Sequence, residues 1–100
     1  SLLAKEERAN LIKLTFSDDR LLIEPNSEIG QVNEQVATKQ NGDDIKIAFN
    51  AKYLLEGIRA LEDDQLTLHL NGTLNPMIIR PVEGEDAYLY LVLPVRVGRD

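Results

Sequence analysis

The chain has 100 residues, a formal net charge of −6 and no cysteine, which leaves room for one domain with a modest core and excludes a disulfide scaffold or a thiolate metal site. Apolar residues make up 43% and charged residues 28%, a balance that favours a folded globular domain over a disordered tail. No stretch approaches the length of a membrane span and no signal-peptide pattern opens the chain, so a cytoplasmic protein is expected. The chain opens Ser-Leu-Leu and Met77 is its one methionine, from which a piece of a longer polypeptide or a processed chain is expected.

Taken in order, the elements are dominated by period-2 alternation. Ile12, Leu14 and Phe16 alternate with Lys13 and Thr15 as a half-buried strand. Ser17-Asp18-Asp19 supplies turn residues, and Leu21 to Ile23 begins a second strand, giving a hairpin. Pro25-Asn26-Ser27 and Gly30 bracket a loop. Val32 to Thr38 reads as a weaker strand, Asn41-Gly42-Asp43-Asp44 as a turn, and Ile45, Ile47 and Phe49 as the next inward row.

At Asn50 the period changes. Asn50 is a good N-cap, and Leu54, Ile58 and Leu61 fall on one helical stripe, with Lys52, Glu56 and Arg59 on a solvated face. Glu62-Asp63-Asp64 closes the helix. Leu66, Leu68 and Leu70 then alternate with Thr67 and His69, Asn71-Gly72 turns the chain, and Met77 to Arg80 forms a strand. After a turn at Glu83-Gly84-Glu85-Asp86, Tyr88 to Val95 is the last strand.

The expected fold is a single α+β domain over residues 1–100: an antiparallel sheet of about seven strands with one helix. One helix of ~13 residues is ~20 Å long and leaves much of such a sheet uncovered. The last strand is also apolar on both sides, with Leu89, Leu91, Leu93 and Val95 on one and Tyr88, Tyr90 and Val92 on the other. Such a strand must be covered twice, so part of its surface is expected to meet another domain, a further helix or a ligand.

Catalytic chemistry finds no support. His69, the one histidine, lies on the outward side of its strand and reads as an exposed residue, without a second His or any Cys for a metal site. The carboxylate pairs Asp18-Asp19, Asp43-Asp44 and Asp63-Asp64 sit in turns or at the helix end, where solvated turn chemistry explains them. No phosphate loop or nucleophile elbow occurs. A net negative charge argues against tight phosphate binding, although a protein that surrounds DNA loosely escapes that argument. No cofactor, no metal and no catalytic residue is expected.

Four segments, in register over nearly the whole chain, carry a resemblance. They are Leu2-Leu3-Ala4-Lys5-Glu6-Glu7-Arg8-Ala9-Asn10-Leu11-Ile12-Lys13-Leu14; Asn26-Ser27-Glu28-Ile29-Gly30 with Gln31-Val32-Asn33-Glu34; Ile47-Ala48-Phe49-Asn50-Ala51-Lys52-Tyr53-Leu54-Leu55; and Tyr90-Leu91-Val92-Leu93-Pro94-Val95-Arg96. Together they resemble the third, C-terminal domain of bacterial DNA polymerase III β subunits, the sliding clamps, lacking its first strand and most of its first helix. The resemblance implies a DNA-clamp domain of a non-catalytic processivity factor. Two subunits of that family close into a homodimeric ring around duplex DNA and tether the replicative polymerase. The polymerase, the clamp loader and other proteins with clamp-binding motifs insert a short peptide into a groove. Carried over position by position, the groove implies Asn50, Tyr53, Leu74, Pro76, Leu91, Leu93, Pro94, Val95 and Arg96. Leu2 and Leu3 match the subunit interface, and Lys52 and Arg59 the helix face toward the DNA channel. From the residues alone a different class stays open: a structural domain that assembles through sheet edges and apolar patches without a peptide ligand.

Overall fold

A computed structural model describes residues 10–25, 33–61, 64–83 and 88–96. Among these residues, seven strands and one helix run in the order β1 (Leu11–Ser17), β2 (Arg20–Pro25), β3 (Glu34–Ala37), β4 (Ile45–Asn50), α1 (Ala51–Leu61), β5 (Leu66–His69), β6 (Met77–Pro81) and β7 (Tyr90–Val92). The fold is α+β, as the alternation implied. The strands divide into two antiparallel sheets rather than one, ordered β3-β2-β1-β4 and β5-β6-β7. The division falls at α1: the helix interrupts the ladder after β4, so the chain starts a new sheet at β5 instead of extending the first.

The first hairpin shows how local chemistry sets register. Ser17 pairs with Arg20, leaving a two-residue loop in which Asp18 and Asp19 both take positive φ, 55° and 57°. Two left-handed residues in succession define the turn whose twist matches the flanking strands, and Asp tolerates that conformation better than most side chains. Asp19 is held there from outside: its carbonyl accepts from Thr38 N at 2.9 Å and its Oδ1 from Gln40 N at 2.9 Å. The same contacts anchor the exit of β3.

One core joins both sheets and the helix. Leu14 and Phe16 of β1, Leu21 of β2, Ile47 and Phe49 of β4, Leu54 and Leu61 of α1, Met77 and Ile79 of β6 and Val92 of β7 form a single buried cluster. Phe49, Met77 and Ile79 have no exposed surface at all, and each such burial contributes about 1.5–3 kcal/mol relative to exposure. Ile12 and Ile45 pack on the cluster while half-buried, in line with their places in the alternating rows.

The helix begins as expected. The Asn50 side chain accepts a hydrogen bond from Lys52 N at 2.9 Å, satisfying an otherwise orphaned donor of the first turn, and Ala51 N donates to Asn10 O at 2.7 Å, tying the helix start to the entry of β1. Its buried stripe differs by one position from the expectation. Leu54, Gly57 and Leu61 face inward, while Ile58 is exposed. The cause is Tyr90, whose ring closes on the helix so tightly that a Cβ at Gly57 would lie 2.6 Å from Tyr90 Cδ1. A glycine costs a helix interior about 1 kcal/mol relative to Ala; here it makes the space in which β7 docks.

Candidate functional site

β4 is an edge strand of the first sheet and β7 of the second, and the segment that follows β7 links the two. β7 pairs with β6 through Met77–Val92, Ile78–Leu91 and Ile79–Tyr90. This register sends Tyr90 and Val92 to the core side with Met77 and Ile79, and Leu91 to the opposite side with Ile78. Val92 is 2% exposed whereas Leu91 is 55% and Leu93 71% exposed, so the strand that is apolar on both sides is covered on only one. It is also shorter than its sequence pattern, ending at Val92. Pro94 has no N–H to continue a ladder, and the next donor, Val95 N, turns to the carbonyl of Ala48 in β4 at 2.8 Å. That bond ties the segment after β7 to β4 and lays residues 93–96 across the seam.

On one side of this segment lies a concavity of about 380 Å³ lined by Asn50, Tyr53, Tyr90, Leu91, Val92, Leu93, Pro94 and Val95. On the other lies a second, of about 340 Å³, lined by Lys13, Lys46, Ile47, Ala48, Thr73, Leu74, Val95 and Arg96. Val95 lines both. Of the nine groove positions expected from sequence, six meet in the first concavity and Leu74, Val95 and Arg96 in the second. Pro76 lines neither, although it sits half-buried at the end of the β5–β6 connection that carries Leu74.

The walls are built by ordinary means. Tyr53 is the third residue of α1 and 55% exposed, an aromatic face with a polar tip; the Lys52 ammonium lies 6.0 Å from its ring centroid, at the outer limit of a cation–π contact. Asn50 spends its oxygen on the helix cap and makes no further side-chain hydrogen bond among the described residues, so its amide NH₂ remains a donor at the mouth of the concavity. Leu74, 67% exposed, projects from a loop shaped by Gly72 at φ 77° and closed by a hydrogen bond from Asn75 Nδ2 to Asn71 O at 2.7 Å. Exposed leucines held on a rigid scaffold beside a tyrosine, a proline and one amide donor suit an extended peptide with apolar side chains.

Tyr90, Val92, Lys13, Lys46, Ile47, Ala48 and Thr73 also line these concavities and were absent from the expected set. Tyr90 and Val92 read equally well as core, which they also are. The β1 and β4 residues enter only because segment 93–96 crosses over β4, a contact between distant parts of the chain that no local pattern encodes. Lys52 and Arg59 are exposed on α1, two turns apart on the face away from Leu54 and Leu61. Leu2 and Leu3 lie outside the described residues. Among the described residues no group of three or more His, Cys, Asp or Glu could hold a metal, and no helix is long and apolar enough to cross a membrane.

The chain is 40% identical over 98 residues to the beta sliding clamp of Staphylococcus aureus, a match covering 96% of this chain and 26% of that protein. It is 37% identical over the same length to the beta sliding clamp of Staphylococcus epidermidis. Among solved structures it superimposes on the DNA polymerase III subunit beta of Pseudomonas aeruginosa with a TM-score of 0.80 and 27% identity, over 91% of this chain and 25% of that one. It superimposes on the Bartonella birtlesii sliding clamp bound to griselimycin with a TM-score of 0.78 and 28% identity, over 97% and 26%. The chain thus spans about a quarter of the length of the relatives it matches. The model of the DNA polymerase III beta subunit, C-terminal domain, matches residues 1–96, and with the seam, the two sheets and these relatives in agreement, the chain belongs to that family of sliding-clamp domains.

Proposed function

We propose that this chain serves as the C-terminal domain of a sliding clamp, a non-catalytic processivity factor of bacterial DNA replication, and that the seam between β4 and β7 is its peptide-binding groove. In this reading the parent polypeptide closes as a homodimeric ring around duplex DNA and holds the replicative polymerase on its template. The polymerase, the clamp loader and other partners dock through short motifs whose apolar side chains cover Leu91, Leu93 and Val95 beside Tyr53, with Asn50 donating to the peptide backbone. Arg96 and Leu74 extend the contact past Val95, and Pro76 supports the loop that carries Leu74. Lys52 and Arg59 contribute weak, sliding contacts to the DNA phosphates, and Leu2 and Leu3 meet the neighbouring subunit. The work is done in the cytoplasm, at the replication fork.

The observation that carries this reading is the exposure of Leu91 on β7 and of Leu93 just after it, while the other face of the strand buries Val92 and half-buries Tyr90. Leaving two leucines in water beside a preformed concavity is costly for a monomer and favourable for a binder. In the intact polypeptide, Leu93→Asp is expected to weaken a peptide carrying the Gln and Leu-Phe anchors of the family's clamp-binding motif by about tenfold or more, since losing a central hot-spot contact costs about 2 kcal/mol. Unchanged affinity, read by fluorescence anisotropy, would sink the groove assignment. The structural alternative predicts self-association that is insensitive to Leu93.

A further inference from the structure

The second concavity differs from the first in charge. Lys13 from β1, Lys46 from β4 and Arg96 from the segment after β7 all line it, and none of its eight lining residues is acidic. Three of the chain's 11 basic residues are gathered there in a molecule of net charge −6. Topology brings them together: Lys13 and Ala48 are cross-strand partners on β1 and β4, Lys46 is two residues from Ala48 on the same strand, and Val95 N bonds to the Ala48 carbonyl, drawing Arg96 alongside.

Acidic neighbours in register and in sequence do not neutralise them. Glu24 stands opposite Lys13 in the β1–β2 register and Asp44 precedes β4, yet none of the three cations makes an ion pair or a side-chain hydrogen bond among the described residues. Like charges held close without a counter-ion repel, and an incoming anion relieves that repulsion. We propose that this concavity is an acidic-residue subsite: it takes an Asp or Glu carboxylate of the peptide whose apolar side chains fill the neighbouring concavity, and so selects partners with acidic residues flanking their anchors. The inference rests on the peptide-groove reading and deepens it. A phosphate would bring the same charge, but Leu74 and Val95 form part of the wall and Val95 is shared with the apolar concavity, a setting that matches one continuous peptide better than a nucleic-acid backbone.

The test uses the intact polypeptide and three labelled peptides with the same Gln and Leu-Phe anchors: one flanked by serines, one with two glutamates on the N-terminal side, one with two on the C-terminal side. One acidic form is expected to bind about fivefold more tightly than the neutral peptide at low salt, the sum of a few exposed charge pairs, and to lose the advantage as salt rises. Lys46→Glu, at an exposed position, and Lys13→Gln should each reduce that preference while leaving the neutral peptide within about twofold. Equal affinity for all three peptides would overturn the subsite and leave the groove standing. A preference that survives both variants would assign it elsewhere, and displacement of the acidic peptide alone by a short DNA duplex would reassign the cations to phosphate. No binding by any peptide would overturn the groove reading and the subsite with it.

Discussion

β1 and β7 are both rich in aliphatic residues, and they end up in opposite circumstances. β1 is central: it pairs with β2 along six positions and with β4 along six more, and Leu11, Leu14 and Phe16 are buried. β7 is an edge strand of three residues with one neighbour, and the leucines on its outer face stay in water. Apolar character in β1 is explained by packing within the chain. In β7 half of it has no partner within the described residues, and that surplus, placed on an edge beside Tyr53 and Asn50, is the basis of the docking surface proposed above. Burial on one face fixes the position of the strand; exposure on the other leaves the leucines available.

This contrast can be broken at several points. Phe49→Ala should have the largest effect, a loss of about 3–5 kcal/mol from an unfilled core site, read as reduced native-state hydrogen-exchange protection across β4 and β6. Gly57→Ala should follow. The gain in helix propensity, about 1 kcal/mol, is opposed by a Cβ driven into Tyr90 near the base of its ring, and overpacking of that kind costs about 1–3 kcal/mol. A net loss of protection in α1 and β7 and a displaced Tyr90 resonance are the expected signature; a more stable protein with Tyr90 unmoved would show the close packing to be dispensable. Leu93→Asp should change stability least, by within about 0.5 kcal/mol, while removing most of the peptide affinity. A fold as sensitive to Leu93 as to Phe49 would erase the distinction between the two strands.

Much of this architecture is legible in the amino-acid order because it rests on local rules. Alternation gives β1, β4 and β6, and Asn50 followed by a run of helix formers gives the start of α1. The apolar character of both faces of β7 is visible without any structure and calls for a covering partner, while the proposed groove positions come from the family resemblance. What is hidden comes from long-range contacts. Nothing near Gly57 reveals that Tyr90 will occupy the space its missing side chain leaves, so the helical stripe is read as passing through Ile58. The split into two sheets depends on where α1 redirects the chain. The second concavity depends on one hydrogen bond between Val95 and Ala48, residues separated by most of the second half of the sequence, and Lys13 and Lys46 look like solvated strand positions until that bond brings Arg96 over them.

The most direct test of the central claim is a methyl-resolved NMR titration of the intact polypeptide, labelled at Leu and Val, with the Gln and Leu-Phe peptide. Shifts are expected to concentrate in the methyls of Leu74, Leu91, Leu93 and Val95, with Leu14, Leu21 and Leu61 in the core essentially still. A folded spectrum in which those four do not move at millimolar peptide would contradict that claim.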